Sequence, residues 1–387
     1  MPNISVSLTL MKFARFLQPK TFAPFALICS AVGLISCGGN GGGSSITGTT
    51  GTKTTGTTAT TGMTGSVNTI STTPLNGDAQ QGGVEYECFS SNGQFVGAVT
   101  DPTNTFYIGV YGATPASTAT KLVAPSGEPA YIGAAVNEAG NIAGWSDGDF
   151  LPFYWASSTS TPVGMPLPAK ATEMIPKFIS DAKMIIGTVF NGTSATPTYV
   201  WPTPTSQPVE LSTTNSFIGA SRGGAILLKS GSSFVVMPSY TGAAITLTAV
   251  DGKAPAQASM GADGTVGGQA QSGVACYWLS TNYSKALPLS MPAGSKSAFP
   301  SSLNDSRAAC GTYTDSSGTV HACYWPTLAS APIDLSTGTS LSGAQLYSEQ
   351  ILDNDEMIVS GTASNSAAFT YLVTVTNKAA RRTSVPR

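Results

Sequence analysis

Short apolar runs recur along this chain from about residue 85 to residue 375, each closed by a cluster of Gly, Asn, Asp, Ser or Pro. Runs this short, bounded by turn chemistry, predict β-strands; a helix would show its apolar positions three to four residues apart over a longer stretch. Four such runs make a unit, and the unit repeats. One copy reads Val136-Asn137-Glu138-Ala139-Gly140-Asn141-Ile142-Ala143-Gly144, then Phe153-Tyr154-Trp155, then Pro162 to Leu167. The same order returns from Ile179 to Gly187 with Tyr199-Val200-Trp201, and from Gly261 to Gly268 with Cys276-Tyr277-Trp278. It returns again from Leu303 to Gly311 with His321-Ala322-Cys323-Tyr324-Trp325. Weaker copies run from Ser90 to Gly97, from Ser221 to Leu227 with Phe234 to Met237, and from Asn354 to Gly361 with Phe369-Thr370-Tyr371.

The last residues of these segments are 97, 144, 187, 227, 268, 311 and 361, spaced by 47, 43, 40, 41, 43 and 50. Seven copies of about 44 residues with four strands each predict an all-β fold, a β-propeller of seven four-stranded blades over residues 76–375. Asn-x-x-Gly between the first two strands has a local reason. Asn caps a turn through its side chain, and Gly takes the positive-φ position that closes a short hairpin with a bulge. The Trp of the third strand (Trp155, Trp201, Trp278, Trp325) is expected to pack between blades, where an aromatic buries much area. Trp145 falls outside that periodic position and is expected to be exposed. The last copy lacks a clear fourth strand, so the stretch near Val67 to Ile70 is expected to supply it and clasp the ring.

The copies resemble the HAF-type extracellular repeat of bacterial secreted proteins, which runs Asn-x-x-Gly-x-Ile-Val-Gly, then His-Ala-Phe-Leu-Trp, then Asp-Leu-Gly. The best match is Asn304 to Gly311 with His321-Ala322-Cys323-Tyr324-Trp325 and Asp334-Leu335; the other copies lack the His. The resemblance implies a propeller-like extracellular repeat domain and brings no catalytic residues with it.

The N-terminus gives the address. Residues 1–36 read as a lipoprotein signal peptide, with Lys12, Arg15 and Lys20 ahead of an apolar run from Thr21 to Ile35 that is too short to span a bilayer. The run ends in Leu34-Ile35-Ser36-Cys37, which resembles the bacterial lipobox. Cys37 is therefore the expected lipidation site, because its thiol can accept a diacylglycerol before cleavage frees its amine, and palmitate is an expected modification. Gly38 in the next position resembles outer-membrane sorting. Residues 37–75, rich in Gly, Ser and Thr, have too little apolar surface to offset the entropy of ordering and read as a flexible tether. Residues 376–387 form a basic C-terminal tail.

Composition narrows the function. Charged residues are 10% of 387, with 18 basic against 20 acidic, so no basic surplus is available for phosphate backbones and nucleic acid is excluded as a partner. The 43 Gly and 25 Pro rule out a helical bundle. His321 is the single histidine, so every His-based triad or zinc site would have to run through it, and it is read as structural. No cofactor or metal is expected. Arg222 and Arg307 are the only arginines between residues 76 and 375, too few for the three-arginine clamp of sialidase-like propellers. Glu138, Asp181, Asp305 and Asp355 recur beside the turn and are read as turn caps. Trp145 with Asp147 and Asp149 is the ligand-binding candidate, an aromatic beside two carboxylates. A hairpin centred between Ser316 and Ser317 would set Cys310 opposite Cys323, so a disulfide is expected there; the pairing of Cys88 and Cys276 stays open. The reading is a lipid-anchored envelope protein whose propeller binds a protein or glycan without turnover. Two rivals stand beside it: a carbohydrate-active enzyme using paired carboxylates in the channel, and an outer-membrane assembly scaffold.

Overall fold

The computed structural model describes residues 54–58, 68–75, 84–101, 106–190, 197–337, 339, 341–363 and 368–377, and all of their strand pairing is antiparallel. The signal peptide, Cys37 and residues 378–387 lie outside the described residues, while Thr376 and Asn377, read as the start of the basic tail, belong to the last strand. Two strands, β1 (Thr54–Thr58) and β2 (Asn68–Pro74), come first in the chain and belong to the last blade.

Blade 1 contains β3 (Glu85–Phe89), β4 (Phe95–Thr100), β5 (Tyr107–Gly112) and β6 (Thr120–Lys121). Blade 2 contains β7 (Tyr131–Val136), β8 (Ile142–Ser146), β9 (Pro152–Trp155) and β10 (Val163–Gly164). Blade 3 contains β11 (Glu173–Ile179), β12 (Ile185–Phe190), β13 (Thr198–Trp201) and β14 (Val209–Ser212). Blade 4 contains β15 (Ser216–Ala220), β16 (Ile226–Ser230), β17 (Ser233–Met237) and β18 (Ile245–Thr246). Blade 5 contains β19 (Gln257–Met260), β20 (Val266–Gln269), β21 (Ala275–Leu279) and β22 (Asn282–Pro288). Blade 6 contains β23 (Ser297–Leu303), β24 (Ala309–Thr314), β25 (Val320–Trp325) and β26 (Ile333–Asp334). Blade 7 takes β27 (Gln345–Ile351), β28 (Met357–Thr362) and β29 (Ala368–Asn377) from the end of the chain, then β2 and β1 from its beginning. The fold is a seven-bladed β-propeller.

The clasp forms where the sequence lacked a strand. β2 pairs with β29 from Asn68 opposite Asn377 to Pro74 opposite Tyr371, and its Ile70 is 1% exposed in the core shared with blade 6. Part of the stretch read as tether is therefore blade: Thr-rich segments pair readily when a sheet edge offers a partner, and β1 adds a fifth strand outside β2.

Each periodic Trp joins its blade to the one before. Trp155, Trp201, Trp278 and Trp325 are 0% exposed, and their Nε1 atoms donate to Val123 O, Pro166 O, Thr248 O and Ser290 O at 2.7 to 3.1 Å. Each acceptor lies just after the outermost strand of the preceding blade. Burying such a ring contributes roughly 4 to 6 kcal/mol as an upper estimate, and the bonded N–H avoids the cost of an orphaned donor. In blade 1 the equivalent position is Gly112, and the Phe95 ring fills the space a side chain there would need.

The repeat glycine has a cause that the sequence hides. In six blades the first strand carries a bulge, as between Gly133 and Ala135 in β7. Opposite it sits the Gly that ends the repeat segment in blades 1, 2, 3, 6 and 7. A Cβ on Gly97, Gly144 or Gly311 would lie 2.0 to 2.1 Å from the carbonyl oxygen of Glu85, Ile132 or Phe299. Only a residue without a side chain lets the bulged backbone approach so closely.

Candidate functional site at the channel mouth

The first strand of every blade lines the axis, and the turns that follow them meet at one end of it. Each turn has five residues, and its fourth has positive φ in all seven blades: Gly93, Gly140, Lys183, Gly224, Gly264, Arg307 and Asp355. The expected hairpin with a positive-φ closing residue is thus present throughout, although three blades place a non-glycine there. In blade 7 the acid expected at Asp355 is displaced. The ladder between β27 and β28 is longer there, so Asp355 takes the strained position and Asp353 occupies the acid position.

Hydrogen bonds run from turn to turn around the whole ring. Asn137 accepts Asn141 N–H within its own turn at 2.9 Å and donates through Nδ2 to Ser180 O in the next blade, also at 2.9 Å. Asn304 does the same with Ala308 N–H and Leu352 O. The Asn of the repeat is therefore both a turn cap and a stitch to the neighbour. Other junctions use Gln94 Nε2 to Glu138 O at 2.8 Å, Asp181 N to Arg222 O at 3.4 Å, and Arg222 N to Ala262 O at 3.1 Å. Ala262 N to Leu303 O at 3.2 Å and Asp353 N to Ser91 O at 2.8 Å complete the circle.

The second residue of each turn points to the axis. Going round from blade 1, these are Ser91, Glu138, Asp181, Arg222, Ala262, Asp305 and Asp353. Arg222 reaches across the mouth. Its guanidinium pairs with Glu138 of blade 2 and Asp305 of blade 6, lies 3.3 Å from Asp353 of blade 7, and donates to Ser91 Oγ of blade 1 at 3.2 Å. The side chains are partly buried, Arg222 being 21% exposed. Asp181 stays beside this hub, and its carboxyl is held above the ordinary range, first by burial and then by repulsion from Asp353. The cavity has about 510 Å³ of open space and draws its lining from all seven blades. A second pair, Arg307 Nε to Asp263 Oδ2 at 3.2 Å, joins the turns of blades 6 and 5.

Around the mouth, on the same face, stand the loops between third and fourth strands. Residues 113–119, 156–162, 202–208, 238–244, 280–281 and 326–332 contain no charged side chain. Four of them close the same way: the Oγ of Ser117, Ser160, Ser206 or Ser330 accepts the N–H of the residue three before it and donates to that residue's carbonyl. The face is thus a rigid neutral rim around an acidic mouth bridged by one arginine.

The residues expected to form a site fare differently. Trp145 is 9% exposed, not open to solvent. It shares with Ala143 the side of β8 turned to blade 3, and packs among Ala98, Ile132, Tyr107, Phe150 and Ile175. Asp147 is half-buried and Asp149 exposed, at the end of the propeller opposite the mouth, so the three form no open aromatic-carboxylate cluster. Among the described residues no group of three His, Cys, Asp or Glu is placed to hold a metal.

The expected disulfide is corrected. The ladder sets Cys310 opposite Tyr324 and Gly311 opposite Cys323, so the two cysteines are one register step apart and face opposite sides of the sheet. Cys310 packs toward blade 7 and Cys323 toward blade 5, and both are thiols. The cause is a turn one residue longer than expected, held by Asp315 Oδ1 accepting the N–H groups of Ser317 and Thr319. His321 stacks on Tyr313 with centroids 4.8 Å apart, and its Nε2 lies 3.1 Å from Asp315 Oδ2, away from the mouth. Bonds from Ser317 and then His321 hold the Asp315 carboxyl well below its ordinary range.

Several solved structures align with this chain at a distance. YCF48 bound to D1 peptide aligns with a TM-score of 0.49 and 10% identity over 79% of this chain and 95% of that one. Virginiamycin B lyase from Staphylococcus aureus gives 0.47 and 10% over 79% and 99%. The β-propeller domain of the Trilobed protease from Pyrococcus furiosus gives 0.43 and 8% over 71% and 88%. Likenesses this distant say nothing about ligand or chemistry. No protein-family model and no curated protein matches the sequence.

Proposed function

We propose that this chain is a lipid-anchored cell-envelope protein, attached through Cys37, whose propeller binds a protein or glycan partner on the channel-mouth face without turning it over. The observation that carries this reading is Arg222: it occupies the space between the acids of three other blades, where a hydrolytic pair would need room for substrate. Loops on a rigid scaffold suit recognition. The likeness to HAF-type repeats agrees with an extracellular address.

The exposed third residues of the turns allow a direct test. Ala182 and Ser306 are exposed and sit in the turns of blades 3 and 6. Ala182→Arg combined with Ser306→Arg should abolish capture of envelope proteins or glycans while leaving the melting temperature unchanged. Ser316→Arg, exposed on the opposite face, should leave capture intact. Equal binding by both variants would refute the assignment of the face. Mass spectrometry of the native N-terminus tests the anchor; an unmodified terminus downstream of Cys37 would sink it.

The enzyme reading keeps one observation in its favour. The carboxyl of Asp181 is held above the ordinary range, first by burial and then by repulsion from Asp353, as a general acid's would be. Polysaccharide turnover lost in Asp181→Asn would establish it. The scaffold reading has no comparable support: among the described residues the exposed large apolar ones, Val123, Val163, Val209, Val250 and Val320, come from different loops and strands and form no continuous run.

A further inference from the structure

Beyond β29 comes the basic segment Lys378-Ala379-Ala380-Arg381-Arg382-Thr383-Ser384-Val385-Pro386-Arg387, with four positive side chains and no acidic one. The ladders fix where it starts. β29 draws level with the end of the blade 7 turn where Val373 faces Met357, the first residue after that turn. It then runs four residues further, to Asn377, still paired with β2. At about 3.3 Å per residue those four rise roughly 13 Å past the turn, and β29 stands two strands, about 10 Å, outside β27. The segment is therefore delivered at the mouth end of blade 7, close to Asp353, Asp355 and Glu356. Ten residues span at most roughly 33–36 Å, so Arg381 and Arg382 have the reach to meet the acids of the mouth.

The mouth suits such an occupant. Glu138, Asp181, Asp305 and Asp353 outnumber Arg222 there and leave a formal excess of three negative charges. Arg222 shows that these carboxylates accept a guanidinium, and its three acidic partners stay partly exposed on their outer side. Asp181 takes part in no ion pair among the described residues, and Asp353 repels it. The rim loops between third and fourth strands carry no charge and offer the segment no rival seat. We propose that residues 378–387 fold back over the channel mouth and seat Arg381 and Arg382 on the outer side of Asp181, Asp305 and Asp353, above Arg222, as a built-in occupant that a partner must displace. Attachment to the sheet holds the segment at an effective concentration of about millimolar, enough for weak contacts to fill the seat. The contacts are partly exposed charge pairs, so the seat is reversible and sensitive to salt. The displacement rests on the reading of the mouth as the partner face; the seat itself does not.

The test uses the full chain with Arg382→Lys, which keeps the charge and supplies an amine. A carbodiimide then joins that amine to any carboxylate it touches, and peptide mass spectrometry locates the bond. The expected links run within one chain from position 382 to Asp181, Asp305 or Asp353. Their yield should fall at least about tenfold in about 1 M salt, where charges are screened beyond about 3 Å. It should fall likewise when a synthetic peptide of residues 378–387 is added in excess, but not with a peptide whose four bases are replaced by alanine. Links from position 382 to the opposite face, as at Asp149, in equal yield, or no link at all, overturn the seat. Links between two chains, seen as dimers on a denaturing gel, overturn the built-in occupant. Arg381→Ser with Arg382→Ser should raise capture of envelope proteins or glycans severalfold at low salt; unchanged capture overturns the displacement. Absence of capture by every variant counts against the partner reading, whereas the cross-links alone judge the seat.

Discussion

Arg222→Ala tests the hub more sharply than any change in the strands, because it removes the one cation among the carboxylates at the mouth. Glu138, Asp305 and Asp353 would then face one another with side chains 28%, 40% and 29% exposed. Breaking a fully buried pair costs about 3–5 kcal/mol, and an exposed pair is worth about 0–1. Partial burial with three partners puts the loss at about 2–3 kcal/mol. For a domain of roughly 300 residues the unfolding entropy is about 0.6 kcal/mol per kelvin, so the melting temperature should fall by about 4 °C at neutral pH and low salt. Most of that loss is repulsion, which gives the prediction its direction. Salt should shrink the gap, and so should acid, since protonated carboxylates no longer repel. Adding Glu138→Gln, Asp305→Asn and Asp353→Asn to Arg222→Ala should recover most of the lost stability. Calorimetry of the three proteins at pH 7 and about pH 4 decides the matter. An Arg222→Ala protein that melts within about 1 °C of the parent at pH 7, or whose deficit is the same in acid, would refute the hub.

Further outcomes follow from single residues. Ile70→Ala should cost about 2–5 kcal/mol, because the side chain is fully buried in the clasp; a chain beginning at Glu85 should be less stable still or aggregate, read by thermal melting beside the full chain. Gly144→Ala should destabilise by about 3 kcal/mol or more through the clash with Ile132 O, whereas Gly148→Ala, with open space around it, should change the urea midpoint little. Asp181→Asn should stabilise the fold slightly at neutral pH. The folded-state pKa of Asp181 is raised, so the parent loses stability as pH rises through the carboxylate range and up to that raised value. The variant's advantage should therefore vanish below the ordinary aspartate pKa, as urea melts across pH will show. Exposure to solvent keeps the gain below about 1 kcal/mol.

Blade number, strand count and the clasp are legible in this sequence because they rest on local chemistry repeated seven times. The turn residues Asn137 and Asn304, the Trp of four third strands and the glycines at 97, 144 and 311 each act within one blade or between neighbours, and periodicity multiplies weak signals. Register is less legible. A single additional residue in the turn held by Asp315 moves Cys323 to the other side of its sheet, and a ladder lengthened in blade 7 replaces Asp355 by Asp353. Trp145 misled for a related reason: its distance from the periodic Trp position says nothing about which side of β8 meets blade 3.

The hub lies beyond such reading altogether, since its members come from blades 2, 4, 6 and 7 and share no local pattern. One signal was present: at the second turn position, where blades 2, 3, 6 and 7 carry acids, blade 4 alone carries a base, Arg222. In a ring, a single charge reversal at a repeated axial position has physical meaning, because symmetry brings all seven copies of that position to one point. Like charges gathered there repel, so one opposite charge stabilises the rest. The odd copy of a repeat thus marks the axis better than the regular copies do, and that reasoning leads from Arg222 to the channel mouth without any catalytic motif.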